Sequence, residues 1–407
     1  MKIKKKMPLF VKILLGVVGL GFLFIVTSLI LLFTGLSRAK AEARKFGIAT
    51  TQAEYENTIP SPQGTQSLAE KFSTTSLNTD EYASLTFSNL VWVGNDPSKV
   101  NEIKWGDVTK LLQSNSAYLA FIDEAAKQKK MTISTVQEQD SMQMGAKMKS
   151  AVQMILLKAL YEWQSGRRFE SLESIRKAAI VSDQMSRSPN NLSLLTSVYC
   201  FNLTFGSLRA VMRTGRASEA ELKKLREIQI AFMDAPEFSA YLKGEPYSLE
   251  LMITKNPPPV PLPLFGSKLM EFPVSAAYSR ATKYLKETKS LPNVSYLQFQ
   301  KLKKLDKEFK TGYESSINPL DRMLSAGFFE NSKLYAAYLK RMVFADLVEY
   351  MISGKKGTDP YCDTDYGRIL GTNETTIYSI GPDERDDGGM IIGEKAAPDI
   401  GITFQEK

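Results

Sequence analysis

The sequence predicts a mainly α protein: an N-terminal transmembrane helix, a two-lobed helical exterior and a small antiparallel β tail. Three observations predict it. Residues 13–36 carry no charge in 24 positions. From Trp105 to Ser353 apolar residues recur at helical spacing, interrupted by the stretch TKNPPPVPLP at 254–263. After Gly354 short β-favouring runs take over, separated by Gly, Pro, Asp and Asn.

The chain divides accordingly into a cytoplasmic head (1–12), the transmembrane helix (13–36), a juxtamembrane tether (37–65), helical lobe 1 (66–253), a proline-rich seam (254–263), helical lobe 2 (264–353) and the β tail (354–407). At 1.5 Å per residue the 24-residue span reaches about 36 Å, enough for a hydrocarbon core of about 30 Å. Seventeen of its side chains are Leu, Ile, Val or Phe. At roughly 0.3–0.6 kcal/mol each, they favour insertion by about 5–10 kcal/mol. Lys2, Lys4, Lys5, Lys6 and Lys12 precede the span, and Arg38, Lys40, Arg44 and Lys45 follow it, so flanking charge alone orients it weakly. The short head stays in the cytoplasm and the long remainder translocates. The rival reading is a signal peptide cleaved at Ala39-Lys40-Ala41, but signal cores run only about 7–15 residues.

Behind the span, helix continues to about residue 48, and Thr50, Thr51, Pro60, Pro62 and Gly64 read as an extended tether. Val108, Leu111, Leu112, Leu119 and Ile122 mark a helix from Trp105 to about Lys130, and Met144 to Leu160 mark one over 140–165 that Gly166 ends. Phe169 to Val181 mark a third, stopped before Pro189. Leu192–Met212 and Ser218–Met233 follow, the latter opened by the S-x-x-E capping box of Ser218 and Glu221. Five prolines in ten residues favour polyproline II at the seam. Helices then fall at 266–288, 295–311 and 328–353. The last is apolar almost all round, as befits the centre of a core, and its Tyr335 and Tyr338 belong to that core. Strands are expected at Tyr366–Leu370, Thr375–Ile380, Met390–Ile392 and Ile400–Phe404.

Composition excludes several functions. Of 52 basic and 44 acidic residues, nine basic and one acidic lie in positions 1–45, which leaves 43 of each beyond them. The basic balance therefore belongs to the membrane flanks, and no nucleic-acid partner is implied. With no histidine, the usual general base and the Ser-His and Cys-His pairs are absent. Cys200 and Cys362 alone make no disulfide framework; two buried unpaired thiols are expected, the alternative being one bridge across a loop of about 160 residues. There is no Walker loop, dinucleotide fingerprint or nucleophile elbow.

The tail holds eleven acids against six bases over 353–407. Within it, DERDDGGMIIGE at 383–394 approaches an EF-hand loop but places Arg385 where an oxygen ligand is required, between strand-like flanks. A looser calcium loop would draw carboxylates from Asp383, Asp386, Asp387 and Asp399; the competing reading is a solvated acidic turn with Arg385 as counter-charge.

Residues 159–191 resemble a tetratricopeptide unit, with Gly166, Phe169, Ala178 and Pro189 at its small, aromatic, small and proline marks. The alternative is an ordinary helical hairpin, since no second copy is present. ARKFGIATTQAEY, IPSPQGTQSLAEKF and ELKKLREIQ resemble a group of uncharacterised bacterial single-pass membrane proteins with a long helical exterior. The tail segments DPYCDTDYGRI, IYSIGPDERDDGG and PDI resemble the C-terminal module of the major pseudopilin of type II secretion, whose corresponding loop binds calcium. That resemblance carries calcium onto Asp383, Asp386, Asp387 and Asp399 and no further. Val26 stands where a pilin span carries its acid.

The expected protein is a single-pass component of the bacterial inner membrane, its bulk periplasmic or extracytoplasmic, acting as an envelope scaffold or interaction module. Its partners would be the lipid bilayer and an envelope protein. The alternatives are a pseudopilin-like secretion component and an envelope hydrolase using carboxylates alone.

Overall fold

The computed structural model describes residues 35–58, 103–127, 138–255, 266–316, 330–355, 357–389 and 399–405. The head, most of the span, residues 59–65 of the tether, most of the proline seam and the expected strand at Met390–Ile392 lie outside them. Among the described residues no helix is long and apolar enough to cross a membrane.

The protein is mainly α, with twelve helices among the described residues and small antiparallel sheets near the C-terminus. Residues 35–44 form α1. Then come α2 (Gln52–Glu56), α3 (Trp105–Ser114), α4 (Ser116–Lys127), α5 (Glu138–Gln164), α6 (Arg168–Met185), α7 (Asn191–Met212), α8 (Glu219–Met233), α9 (Phe238–Lys255), α10 (Gly266–Thr288), α11 (Tyr296–Glu314) and α12 (Asn331–Ser353). The strands are β1 (Thr358–Asp359), β2 (Thr364–Asp365), β3 (Gly367–Leu370), β4 (Thr375–Ser379) and β5 (Ile400–Phe404).

Successive helices α5, α6 and α7 pack on one another, α8 lies against α6 and α12, and α12 also touches α7, α11, β4 and β5. Buried positions run right round α12, from Leu334 and Tyr335 through Arg341 and Phe344 to Ile352. A helix without a polar face needs neighbours on every side. Gly166 closes α5 at φ +76°, where a side chain would be strained, and the Arg167 N–H then reaches the Glu162 carbonyl at 2.8 Å. Ser218 and Glu221 form the expected capping box on α8.

Four expectations need correction. The helix expected from Trp105 to Lys130 is two helices: the Asn115 side-chain amide donates to the Leu111 carbonyl at 3.0 Å and competes with the helical ladder. Helix α9 has no counterpart among the expected helices; Pro246 lies inside it, and its packing on α2 and α10 offsets the backbone bond the proline removes. Residues 48–58 are not an extended tether. Ile48, Ala49 and Tyr55 are buried, the Ala49 N–H donates to the Lys243 carbonyl at 3.0 Å, and Asn190 donates to the Tyr55 hydroxyl at 3.2 Å. Phe169, placed at an aromatic core mark of the tetratricopeptide pattern, is 44% exposed, with the Lys224 ammonium over its ring.

Residues from both expected lobes share one hydrophobic core that runs from Ala39 to Phe404. Phe205 of α7 stacks on Phe344 of α12 with ring centroids 4.1 Å apart. In the tail, β3, β4 and β5 form an antiparallel sheet in that order, with Ile377 opposite Ile402 and Ser379 opposite Ile400. Ile377, Ile400, Ile402 and Phe404 are buried in the same core. Both cysteines are free thiols as expected, and Cys200 is buried, but Cys362, expected to be buried, is partly exposed in the turn between β1 and β2.

Candidate functional site

The acidic tail loop is built on Asp399, the residue before β5. Its carboxylate is 2% exposed and accepts the backbone N–H groups of Asp387 at 3.3 Å and Gly389 at 2.8 Å. Burial, then the negative charges of Asp386 and Asp387, push its pKa above the ordinary range despite those two bonds. Asp386 accepts the Gly388 N–H at 2.8 Å, and burial, then the nearby charge of Asp386, raises the pKa of the Tyr378 phenol. Asp383 accepts the Arg385 N–H at 3.3 Å. The structure thus brings Asp386, Asp387 and Asp399 into electrostatic contact, and the carboxylates of Asp386 and Asp399 accept backbone N–H groups. Among the described residues no group of three or more His, Cys, Asp or Glu side chains is arranged to hold a metal ion. Arg385, the expected counter-charge, makes no ion pair among the described residues; Lys303 of α11 instead pairs with Glu384 at 2.5 Å and ties the loop to the helices.

The other pseudopilin-like segments meet at a second buried carboxylate. Asp359 is 1% exposed and accepts the Tyr361 N–H at 3.0 Å, the Ser379 hydroxyl at 2.9 Å and the Ile380 N–H at 2.9 Å. Its neighbour Asp346 accepts the Tyr366 hydroxyl at 2.9 Å. Burial raises the pKa of both. These acids staple the tail to α12 and to itself.

The strongest polar cluster was not anticipated. Arg341, in the middle of α12, is fully buried. Its Nη2 lies 2.5 Å from Asp183 Oδ1 and 2.8 Å from the Ala231 carbonyl; its Nε donates to the Phe232 carbonyl at 2.6 Å and its Nη1 to the Ser186 hydroxyl at 2.9 Å. The guanidinium lies 4.3 Å from the Phe201 ring centroid. Asp183 Oδ2 takes Arg187, which also reaches Asp234 at 2.7 Å. The Tyr241 hydroxyl donates to the Ser186 carbonyl at 2.6 Å. The cluster joins α6, α8, α9 and α12 and leaves no exposed atom for a ligand on Arg341. A cationic pair in the middle of an all-round apolar helix was the signal in the sequence. The other half of that pair, Lys340, lies over the Phe344 ring; burial, with Arg209 beside it, pulls its ammonium down to about 8.

A third constellation joins α1 to the body. Lys40 pairs with Glu250 of α9 at 2.5 Å, and Glu250 also accepts the Tyr278 hydroxyl of α10 at 3.0 Å. Ala39 and Ala43 bury the same face of α1. Beside it opens a cavity of about 390 Å³ lined by Lys45, Lys243 and Lys289 among others, and a second of about 390 Å³ lies at Leu222, Lys223, Arg226 and Ile352. Neither is lined by Asp346, Asp359 or Asp399.

Comparison with protein-family models, with curated proteins and with solved structures finds no match to this chain.

Proposed function

We propose that this chain is a membrane-anchored helical scaffold of the bacterial envelope, with its body mounted rigidly on its own anchor. The observation that carries the reading is the docking of residues 35–58: Ala39, Ala43, Ile48 and Tyr55 are buried, and Lys40, Ala49 and Tyr55 each bond a partner on the body. That segment starts in the last two residues of the uncharged span at 13–36 and continues it. A linker that only tethers has no reason to bury side chains on both sides of a turn. The α5–α6 hairpin then serves as one layer of a single helical body.

The test uses the full chain in bilayers. It should stay with the membrane through a carbonate wash, and a reporter fused after Lys407 should act outside the cytoplasm. With Cys200 and Cys362 replaced by Ala, spin labels at Glu42 and Met252 should give one narrow distance distribution, broadened by Lys40→Ala with Glu250→Ala. A broad distribution in the parent chain refutes the mount, and release by carbonate refutes the anchor.

We infer a second reading, a pseudopilin-like secretion component, from one observation. The bonds from Asp359 to Ser379 and Ile380 join two of the three tail segments that carry the pseudopilin resemblance. Co-purification with filament proteins supports it, and failure to co-purify under crosslinking refutes it.

A further inference from the structure

We propose that the lysine-lined cavity at the foot of α1 binds the phosphate group of an anionic membrane lipid. The proposal rests on the mounted-anchor reading. The cavity, about 390 Å³, has walls from the α1–α2 link, the first turns of α9, the end of α10 and the start of α11. That volume suits a headgroup-sized ligand. Three ammonium groups, Lys45, Lys243 and Lys289, line it against one carboxylate, Glu237.

The two helix ends in the wall oppose one another: α9 presents its positive N-terminal turn and α10 its negative C-terminal turn. Their partial charges offset, so the side chains set the sign of the site. Two of those charges are already engaged. Lys45 pairs with Glu42 at 2.6 Å, but both side chains are more than half exposed, so the pair yields readily to a competing anion. Glu237 accepts the Ser239 hydroxyl at 3.2 Å. The far wall is fixed: Asn293 accepts the Phe238 N–H at 3.1 Å and donates to the Tyr338 hydroxyl at 2.7 Å. The Lys243 backbone is held by the Ala49 N–H. Lysine binds phosphate as a compact point charge, and three around one cavity match an anion with several acceptor oxygens.

Position selects the lipid. Lys45 lies nine residues beyond Leu36, the last residue of the uncharged span. At helical rise that is about 14 Å, against a headgroup layer of about 5–8 Å on each side of the hydrocarbon. A long lysine stem, together with any tilt of the helix, bridges the remainder.

The test is native mass spectrometry on the full chain purified in detergent. Phosphatidylglycerol should be retained at least tenfold over phosphatidylcholine. Replacing Lys45, Lys243 and Lys289 together by Gln should cut that retention at least fivefold, while Arg at the same three positions preserves it. Gln at the exposed Lys304, Lys307 and Lys310 of α11 removes the same charge elsewhere and should change nothing. Circular dichroism checks folding, and the Arg variant reports on the site if the Gln variant unfolds. Equal retention of the two lipids overturns the proposal. So does an equal loss in both Gln variants, or saturable binding of glycerol 3-phosphate without any lipid preference. A chain washed off membranes by carbonate would refute the anchor instead, whereas a membrane-bound chain indifferent to headgroup refutes only the lipid site.

Discussion

Replacing Arg341 by Met should destabilise the protein by about 4 kcal/mol. The substitution keeps an unbranched apolar stem, shorter than the arginine it replaces, and removes a charge that Asp183 Oδ1 meets at 2.5 Å. Breaking a buried pair from one side costs roughly 3–5 kcal/mol, because the other charge stays buried. Here the loss is softened, since Arg187 still holds Asp183 Oδ2 at 2.8 Å. It is deepened at α8, whose Ala231 and Phe232 carbonyls lie in the last turn and lose the donors that capped them. Lost bonds of that kind cost roughly 1–2 kcal/mol. Asp183→Asn leaves Arg341 among neutral acceptors and should cost about 3 kcal/mol. Because both changes break one interaction, the double variant should lose about 5 kcal/mol, a coupling of about 2 kcal/mol. Urea unfolding of the full chain in micelles, followed by circular dichroism, measures all three. A loss below about 1 kcal/mol for Arg341→Met, or strict additivity in the double variant, would show that the cluster does not join α6 and α8 to α12.

Three further outcomes follow from single contacts. A methyl group at Gly244 would sit 2.0 Å from the Pro189 carbonyl oxygen, so Gly244→Ala should lose about 3 kcal/mol, whereas Gly145→Ala meets nothing within 4 Å and should gain up to about 1 kcal/mol; thermal melting of the two variants settles it. Lys340 has its folded pKa lowered to about 8 from 10.5, so the folded state binds fewer protons than the unfolded chain between those values and stability rises with pH across that window. Since the residue keeps some exposure, Lys340→Met should gain about 1–2 kcal/mol at pH 7 and little at pH 10; an equal effect at both pH values refutes the burial argument. Asp399→Asn sets an amide against one of two backbone N–H groups and should cost about 1 kcal/mol in calcium-free buffer, part of the loss being offset by relief of repulsion from Asp386 and Asp387. Calcium should leave the melting temperature of parent and variant alike unchanged; a rise in the parent that Asp399→Asn abolishes would show that the aspartates hold the ion.

What the sequence made legible is what local chemistry decides. The Ser218–Glu221 box opens α8, and alternation in Ile400–Phe404 places Ile400, Ile402 and Phe404 on the buried side of β5. Residues 48–58 were missed although the same signal was present, since Thr51 caps Glu54 as Ser218 caps Glu221; nearby prolines gave the segment the look of a linker. Helix α9 was not read from the sequence; the cost of its Pro246 is offset by contacts with α2 and α10 that no local pattern encodes. The aspartates of the tail were legible as a charge cluster. That Asp399 would be buried with its oxygens on the Asp387 and Gly389 N–H groups depends on where β5 docks, which spacing does not state.

Helix α9 also links the mount to the core. Glu250 of α9 holds Lys40 and Tyr278 at one end of the helix. Tyr241, nine residues earlier on α9, donates to the Ser186 carbonyl, and Ser186 in turn accepts from Arg341. Nine residues of helix span about 14 Å. The path from α1 to the centre of α12 therefore runs through one helix and short hydrogen bonds, with Pro246 as its weakest point. Displacing α1 would have to break the Lys40–Glu250 pair or bend α9 at Pro246, where one backbone bond is already missing. For the membrane-anchored scaffold proposed above, stiffness between anchor and core is the physical requirement, because a partner bound to the body would then be held at a set height and angle above the bilayer. A free tether of the same length would spread that partner over many positions.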